Sequence, residues 1–440
     1  MTPVAFGAAM IAALVVLIAV RLPVALAMGL TGAGGYVALA GWAPLSGYLK
    51  TAMVDKFVSY DLAIIPLFIL MGQLATRSGV SRSIFDACNA WLGHRRGGLA
   101  MASVAGCAAF GAICGSSIAT ATTMGQVALP EMRRHGTSAA LSAGTLAAGG
   151  TLGILIPPSI ILVIYAVLTE QNIVKLFLAA TVPGLLAVLG FMVAIALYVR
   201  LFPEEGPAGA RLPLRARLRA LKRVWHVAAI FVIAIGGIYG GYFTPSEGAS
   251  VGVVLMAALA LALGALTPRA MLAAAVATAS ASAMIFAILF GADLFNVALA
   301  LTRIPVLAAD WVGASTLAPW LVLAVLIALY LALGCVMDSL SMILLTVPTI
   351  FPAFMALDFG LEATHQALWF GVLTLIVVEL GMITPPVGLN LFVISSLADG
   401  VPTRAVFRGA VPFILSEVVR VALIVAFPAL TYWLVDLVAG

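Results

Sequence analysis

The chain has 440 residues, 64% of them hydrophobic and only 9% charged, with a formal net charge of +5. Soluble globular chains carry about 25% charged residues, so this composition excludes a domain that must cover itself with a water-facing surface. The positive balance does not point to nucleic acid, because the basic residues cluster at the ends of apolar runs.

Apolar runs close to the bilayer-spanning length of about 20 residues recur along the chain, at residues 3–20, 224–242, 248–266 and 319–333 among others. Strands of a membrane barrel would alternate apolar and polar positions. These runs are apolar all round, which predicts helices. Residues 3–20 have no basic stretch before them and no small-residue cleavage site after them. Arg21 follows directly and a new apolar run begins at Pro23, so a retained first helix is expected rather than a signal peptide.

Asp61 interrupts the apolar pattern just before Phe68-Ile69-Leu70-Met71-Gly72. A Gly/Ser turn then falls inside an apolar run, at Gly111-Ala112-Ile113-Cys114-Gly115-Ser116-Ser117-Ile118-Ala119-Thr120. It is followed by a Pro-Pro break at Gly153-Ile154-Leu155-Ile156-Pro157-Pro158, a polar stretch at 169–172 and Val182-Pro183. Residues 200–223 hold Arg200, Arg211, Arg215, Arg217, Arg219, Lys222 and Arg223, seven of the 22 Lys and Arg in the chain. Such a loop is expected on the cytoplasmic side, and its alternating Arg and Leu suit an amphipathic helix lying on anionic lipid.

Beyond this loop the pattern returns. Phe286 to Gly291 loosely echoes Phe68 to Gly72, with Asp293 close behind. Gly334-Cys335-Val336-Met337-Asp338-Ser339-Leu340-Ser341 forms a second turn, and Gly334-Cys335 matches Gly106-Cys107 at an offset of 228. Gly381-Met382-Ile383-Thr384-Pro385-Pro386 matches the first break at the same offset of 228, and Val411-Pro412 matches Val182-Pro183 at 229. Ordered matches at near-constant offset indicate a duplication, with halves 1–199 and 224–440 joined by the basic linker 200–223. Repeats of this kind mark many secondary transporters. An odd number of crossings per half would make them inverted, and segments that enter and leave on one side keep that count open.

Adjacent prolines remove a backbone donor, clash with the preceding turn and push the residue before them out of helical geometry. The helix should therefore be interrupted. Non-helical backbone at membrane depth is tolerated where it is buried in protein or lines a wet cavity. The freed carbonyls and nearby hydroxyls suit a small cation such as Na⁺, and half-helix N-termini suit a carboxylate. One turn plus one break per half could form one cation site per half, with substrate between. Taken singly, each motif is equally well read as close helix packing or a kink; the paired arrangement is what favours cation sites.

Ionisable groups within spans are functional candidates. Asp338 and Glu379 flank the second break and could balance a cation or take a proton, although a helix cap or an inter-helix hydrogen bond would also explain them. Glu417 and Arg420, at i and i+3, should pair locally. Asp61 and Asp293 are expected near an interface. Cys88, Cys107, Cys114 and Cys335 form no Cys-x-x-Cys pattern, and the three that lie in apolar, Gly-rich stretches read as small buried residues. His94, His135, His226 and His365 are scattered, with no His-Glu-x-x-His zinc motif.

The chain resembles the large membrane subunit of tripartite ATP-independent periplasmic (TRAP) transporters. The stretches that carry the resemblance are Ile65-Pro66-Leu67-Phe68-Ile69-Leu70-Met71-Gly72, the Gly115-Ser116-Ser117 turn, residues 153–159, Tyr242-Phe243-Thr244-Pro245-Ser246-Glu247-Gly248-Ala249, the 334–341 turn, and residues 379–390 from Glu379 to Asn390. They run in the family's order over nearly the whole chain.

The resemblance implies an all-α polytopic membrane protein of two repeats, expected to be inverted, with re-entrant helical hairpins and Pro-broken helices in an elevator-type transporter. It implies import of a small organic acid driven by Na⁺ across a bacterial inner membrane, with a small membrane subunit and a periplasmic substrate-binding protein as partners. The small subunit is expected as a separate chain, because no extra block of N-terminal helices is present. By motif, one Na⁺ site would use Gly115, Ser116, Ser117, Gly153, Ile156 and Pro158. The other would use Gly334, Asp338, Gly381, Thr384 and Pro386. Ser159, Glu379 and Asn390 are candidates near the substrate. Where the family often has Ser-Gly-Ser at the first turn, this chain has Cys114-Gly115-Ser116, which argues against a side-chain role for Cys114 in binding Na⁺.

The rival within the same class is a stand-alone Na⁺- or H⁺-coupled anion symporter of similar fold. A membrane enzyme would need a nucleophile–base pair or a metal cluster, and the sequence offers neither. A passive channel would not concentrate its substrate.

Overall fold

The computed structural model describes residues 2–58, 60–307, 310, 318–398 and 401–439, and among these the regular structure is helical. The first half contains α1 (Pro3–Ala19), α2 (Val24–Ala40), α3 (Trp42–Val58), α4 (Ile64–Arg77), α5 (Val80–Leu92), α6 (Gly98–Cys114), α7 (Ser117–Arg134), α8 (Ala139–Leu155), α9 (Ile160–Thr169) and α10 (Ile173–Leu201). After the short α11 (Leu214–Lys222) come α12 (Trp225–Tyr239), α13 (Pro245–Ala262), α14 (Pro268–Leu301), α15 (Pro319–Gly334), α16 (Ser339–Met355), α17 (Ala363–Met382), α18 (Leu389–Leu397), α19 (Thr403–Ala426) and α20 (Ala429–Ala439). Five of these helices are long and apolar enough to cross a membrane, and eight spans result if each bent pair counts as one.

The apolar runs read from sequence all become helices, and polar side chains start many of them. Ser138, Ser159, Asn172 and Thr267 each cap a helix N-terminus by accepting a backbone N–H, which satisfies one of the donors that an α-helix leaves free. Part of the conspicuous stretch at residues 242–249 is such a start. Thr244 and Glu247 form a reciprocal capping box at the head of α13, and the Ser246 hydroxyl donates to the Tyr60 carbonyl at 3.3 Å.

The centre of the molecule is formed by the segments that precede the two breaks. Residues 141–155 of α8 are all buried, as are residues 366–382 of α17. Hairpin α6–α7 packs on α8, and hairpin α15–α16 packs on α17. The short helix beyond each break crosses to the other half: α9 packs on α16 and α17, and α18 packs on α7 and α8. The halves are thereby interlocked. Asn390 of α18 shows this directly, donating to the Ala147 carbonyl of α8 at 3.3 Å. Helices α4 and α14 run beside each other and touch α6 and α16 respectively.

The polar linker folds back over the first half. Glu205 accepts from the Tyr198 hydroxyl at 2.5 Å and the Ser138 hydroxyl at 2.8 Å, while its carbonyl accepts the Ser138 N–H at 2.9 Å. Gly97 N–H donates to Gly206 at 2.8 Å and Gly209 N–H donates to Gly93 at 2.9 Å. The basic segment forms α11, packed against α5 with Leu214, Leu218 and Leu221 exposed. Exposed leucines on a basic helix are the surface that an amphipathic interfacial helix would present.

Candidate functional site

The first hairpin turns at Gly115 and Ser116. Gly115 adopts φ +64°, a left-handed conformation that glycine takes without a Cβ penalty. Ser116 then caps α7 by accepting the Ala119 N–H at 3.4 Å. The tip meets the α8–α9 break at a glycine crossing. A Cβ on Gly111 would lie 2.5 Å from Gly153 Cα, and one on Gly153 would lie 2.7 Å from the Ser116 carbonyl oxygen and 2.4 Å from Thr120 Oγ1. A Cβ on Gly115 would lie 3.1 Å from the Pro158 carbonyl oxygen. Glycine is what lets the tip and the break touch. Gly115, Ser116, Gly153 and Pro158 are brought together. Ile156 sits on the other side of the break against Gly184, and Ser117 faces Met382. The Thr120 hydroxyl, beside the Cys114 thiol, is fully buried and without a hydrogen-bond partner.

The second hairpin repeats the plan with different chemistry. It turns over Cys335 to Asp338, and Asp338 caps α16 by accepting the Ser341 N–H at 3.0 Å. A Cβ on Gly334 would lie 3.0 Å from the Val378 carbonyl oxygen and 3.3 Å from Gly381 Cα. The Cys335 carbonyl accepts the Gly388 N–H at 3.3 Å, and the Cys335 thiol faces the Pro385 carbonyl at 3.5 Å. Thr384 donates its hydroxyl to the Leu380 carbonyl at 2.6 Å, which leaves its oxygen lone pairs free to accept. Both Pro-Pro bonds are cis. Pro157 and Pro158 are buried, whereas Pro385 and Pro386 are exposed.

These crossings correct one detail of the internal match. The partner of Gly153 is Gly111, as that of Gly381 is Gly334. Gly106 instead faces the Met124 side chain, so Gly106-Cys107 is not the counterpart of Gly334-Cys335. The identical dipeptide recurs on a different helical face.

Between the two tips lies a cavity of about 240 Å³. Ser116 and Ser117 line it from one tip, and Asp338 and Ser339 from the other. Helix α4 contributes Ile69, Gly72 and Gln73, and α14 contributes Ala281, Met284 and Ile285. Asp338 therefore faces the cavity. Ser159, Glu379 and Asn390 are not among its lining residues. Ser159 caps α9 and Asn390 ties α18 to α8. Glu379 stands behind Ser339, whose hydroxyl donates to Glu379 Oε1 at 2.8 Å, while Oε2 has no partner. Met382 touches both tips, with Sδ 2.7 Å from Ser339 Oγ and 3.9 Å from Ser117 Oγ.

Other ionisable residues have structural partners. Glu417 and Arg420 form a buried ion pair, and Arg420 also donates to the Pro183 carbonyl at 3.3 Å. The Tyr48 hydroxyl donates to Asp293. The Asp61 side chain and residues 399–400, part of the polar break at 398–400 that follows the second Pro-Pro pair as 169–172 follows the first, lie outside the described residues. Cys107, Cys114 and Cys335 are buried, Cys88 is partly so, and the four are free thiols. Among the described residues no group of three His, Cys, Asp or Glu is placed to hold a metal. The oxygen donors gathered at the breaks are carbonyls and hydroxyls, hard ligands suited to a hard cation rather than to a softer transition metal.

Residues 11–430 match the family described as "Tripartite ATP-independent periplasmic transporter, DctM component". The chain is 37% identical to the C4-dicarboxylate TRAP transporter large permease protein of Pseudomonas aeruginosa, over 87% of this chain and 88% of that one. It is 31% identical to an isethionate TRAP transporter permease protein of Oleidesulfovibrio alaskensis, over 86% of this chain and 59% of that longer relative. In three dimensions it is similar to the crystal structure of the Alcanivorax borkumensis YdaH transporter, with a TM-score of 0.60 at 15% identity over 86% of this chain and 88% of that one. That likeness concerns the fold alone.

Proposed function

Because the chain belongs to the DctM component of the tripartite ATP-independent periplasmic transporters, we propose that it is the transport subunit of a Na⁺-coupled importer of a small organic acid. It would take substrate from a periplasmic binding protein and work with a small membrane subunit in a bacterial inner membrane. The observation that carries this reading is the doubled crossing: in each half a hairpin tip is pressed onto a broken helix, and a cavity lies between the tips.

One Na⁺ would be held where the Ser116 and Pro158 carbonyls meet the Gly115 turn and the Gly153 crossing, with Thr120 as an added oxygen donor. The second would be held by the Cys335–Asp338 turn and the second break, with Thr384 accepting the ion through its free lone pairs. A cation at either crossing neutralises carbonyl charge and stiffens the tip. The stiffened tip presents the N-terminus of α7 or α16 to the substrate, so ion and acid favour one another's binding.

Transport would follow an elevator route, in which the hairpins and broken helices move as a body past α2 and α14. The basic linker would remain on the cytoplasmic surface. Relatives named for a C4-dicarboxylate and for isethionate support a small organic anion as cargo.

The test is uptake into proteoliposomes. The full chain with its small subunit and binding protein should concentrate substrate only when an inward Na⁺ gradient is imposed. Equal uptake without Na⁺ would remove the coupling claim. Full activity of the chain by itself would favour a stand-alone symporter.

A further inference from the structure

We infer that the apolar groove beside α11 holds one anionic phospholipid, with its acyl chain between α12 and the α5–α6 pair and its phosphate against His94, Arg95, Arg211 and Arg217. This goes beyond the transport reading and does not depend on what the chain carries. Helices α5 and α6 pack on each other and α12 packs on α13, and the groove is the space between those pairs. Its volume is about 610 Å³, within the range of roughly 300–1,000 Å³ that holds small organic molecules. Ile84 and Trp91 of α5, Ile113 of α6, Leu221 of α11, and Val227 and Phe231 of α12 form its walls, and no lining residue is charged. Along α12 the wall runs from Val224 to Val232, about 12 Å of helix, an elongated shape that suits a hydrocarbon chain.

The rim of the groove selects the occupant. Arg217 stands one turn before Leu221 on the same face of α11, and His94 comes two residues after Leu92, another wall residue. Arg217 donates from Nε to the Leu212 carbonyl at 3.0 Å, while its Nη2 is buried with no hydrogen-bond partner. His94 Nδ1 is likewise buried and unpartnered. The charges acting on His94 are those of Arg217, Arg211 and Arg95, all positive. Among the described residues none of these three arginines forms an ion pair with a carboxylate. The acids nearby are engaged elsewhere: Asp86 faces Arg82 and Arg223, and Glu205 accepts from Tyr198 and Ser138. Crowded positive charge with buried free donors calls for an oxygen-rich anion, and the arginine fork matches phosphate. A phosphate here would also offset the repulsion that keeps a proton off His94. Trp91, in the wall, and Trp225, next to the wall residue Val224, are both exposed at this end, as tryptophans are where hydrocarbon meets headgroups. A molecule that presents phosphate at that level and hydrocarbon below it is a phospholipid. Choline or ethanolamine would bring an ammonium into the cluster, so the headgroup is one of net negative charge. An apolar helix of a protein partner would fill the walls and leave the arginines uncompensated.

The experiment is native mass spectrometry of the full chain, alone and with its small subunit, delipidated and then titrated with phosphatidylglycerol or phosphatidylcholine of the same acyl chains. The expected result is one phosphatidylglycerol held about fivefold or more tighter than phosphatidylcholine. Arg211→Gln, at an exposed position, and Arg217→Gln should each weaken it about fivefold, the scale of one basic residue facing an anionic lipid, and Arg217→Lys should restore part of the loss. Ala228→Trp fills the groove from an exposed wall position and should remove the bound lipid, while circular dichroism reports an unchanged helix content. Free sn-glycerol 3-phosphate should not compete, because the headgroup without its chain leaves the groove empty. Equal retention of the two lipids would overturn the inference, as would competition by sn-glycerol 3-phosphate. Retention unchanged in Ala228→Trp and in both arginine variants would place the lipid elsewhere and overturn it too. Loss of the lipid when the small subunit binds would give the groove to that partner instead. Each of these failures leaves organic-acid transport standing, since none of them measures it.

Discussion

The first hairpin turns in two residues, Gly115 and Ser116, whereas the second needs four, from Cys335 to Asp338. The first is capped by a hydroxyl and the second by a carboxylate. The prolines of the first break are buried and those of the second are exposed. What both share is the crossing itself, a glycine of the hairpin against a glycine of the broken helix. The shape of the crossing is therefore common to the two halves, while charge and solvent access differ. A molecule lying between the tips meets two unlike ends.

The comparison extends to the helices that follow each break. Helices α10 and α19 each contain an internal proline, Pro183 and Pro412, but the buried Glu417–Arg420 pair belongs to α19 alone. Arg420→Met should produce the largest loss, about 3–5 kcal/mol, because it leaves a buried carboxylate without its partner. Replacing both residues with apolar ones of similar volume should cost much less, and thermal unfolding of the detergent-purified protein separates the two outcomes. The crossings come next. Gly153→Ala and Gly381→Ala should each destabilise by about 1–3 kcal/mol through overpacking and sharply reduce uptake. Tolerance at one crossing but not the other would show that the shared shape is needed on one side only.

Smaller effects should divide the two proposed ion sites. Ser116→Ala removes a cap worth about 0.5–2 kcal/mol and should raise the Na⁺ concentration needed for half-maximal uptake. Thr384→Ala should raise it without removing a cap. If neither variant alters Na⁺ activation, the ions are held elsewhere.

The smallest effect concerns the linker. Burial, together with Arg217, Arg211 and Arg95, holds the His94 imidazole below its ordinary pKa. The folded state therefore disfavours a proton that the unfolded chain accepts, so stability contributed here falls as pH drops through the ordinary histidine range near about 6.5. His94→Gln should flatten that portion of a stability–pH profile.

Much of this arrangement was legible in the chain. The apolar runs marked helices, and Gly, Ser and Pro marked where they would break, because those residues act on the local backbone. Faces were not legible. Gly106-Cys107 and Gly334-Cys335 are identical as text, yet the glycine that meets the break in the first half is Gly111. In a run rich in Gly and Ala, several glycines can allow a close approach, and only the crossing helix decides which one does. Thr120, one turn beyond the first tip, carried no local signal, since a threonine in a helix is unremarkable until its hydroxyl is found buried without a partner. Helices α4 and α14 were marked by the Phe68 and Phe286 stretches, but their place on the cavity wall depends on long-range packing. Asn390 stood out beside the second break, and what it touches is a carbonyl some 240 residues earlier.

The linker clasp has a consequence for the order in which the molecule can assemble. All its partners, Gly93, Gly97, Ser138, Tyr198, Glu205, Gly206 and Gly209, precede the second half of the chain. As the polypeptide emerges from the ribosome, these bonds can close before α12 exists. Domains form as units during synthesis, N-terminal portion first, and here the early portion carries its own fastening. The carbonyls of Ala147 and Pro183, by contrast, wait for Asn390 and Arg420. The newborn first half is thus secured at its polar edge while its interior is held open for the segment still to come.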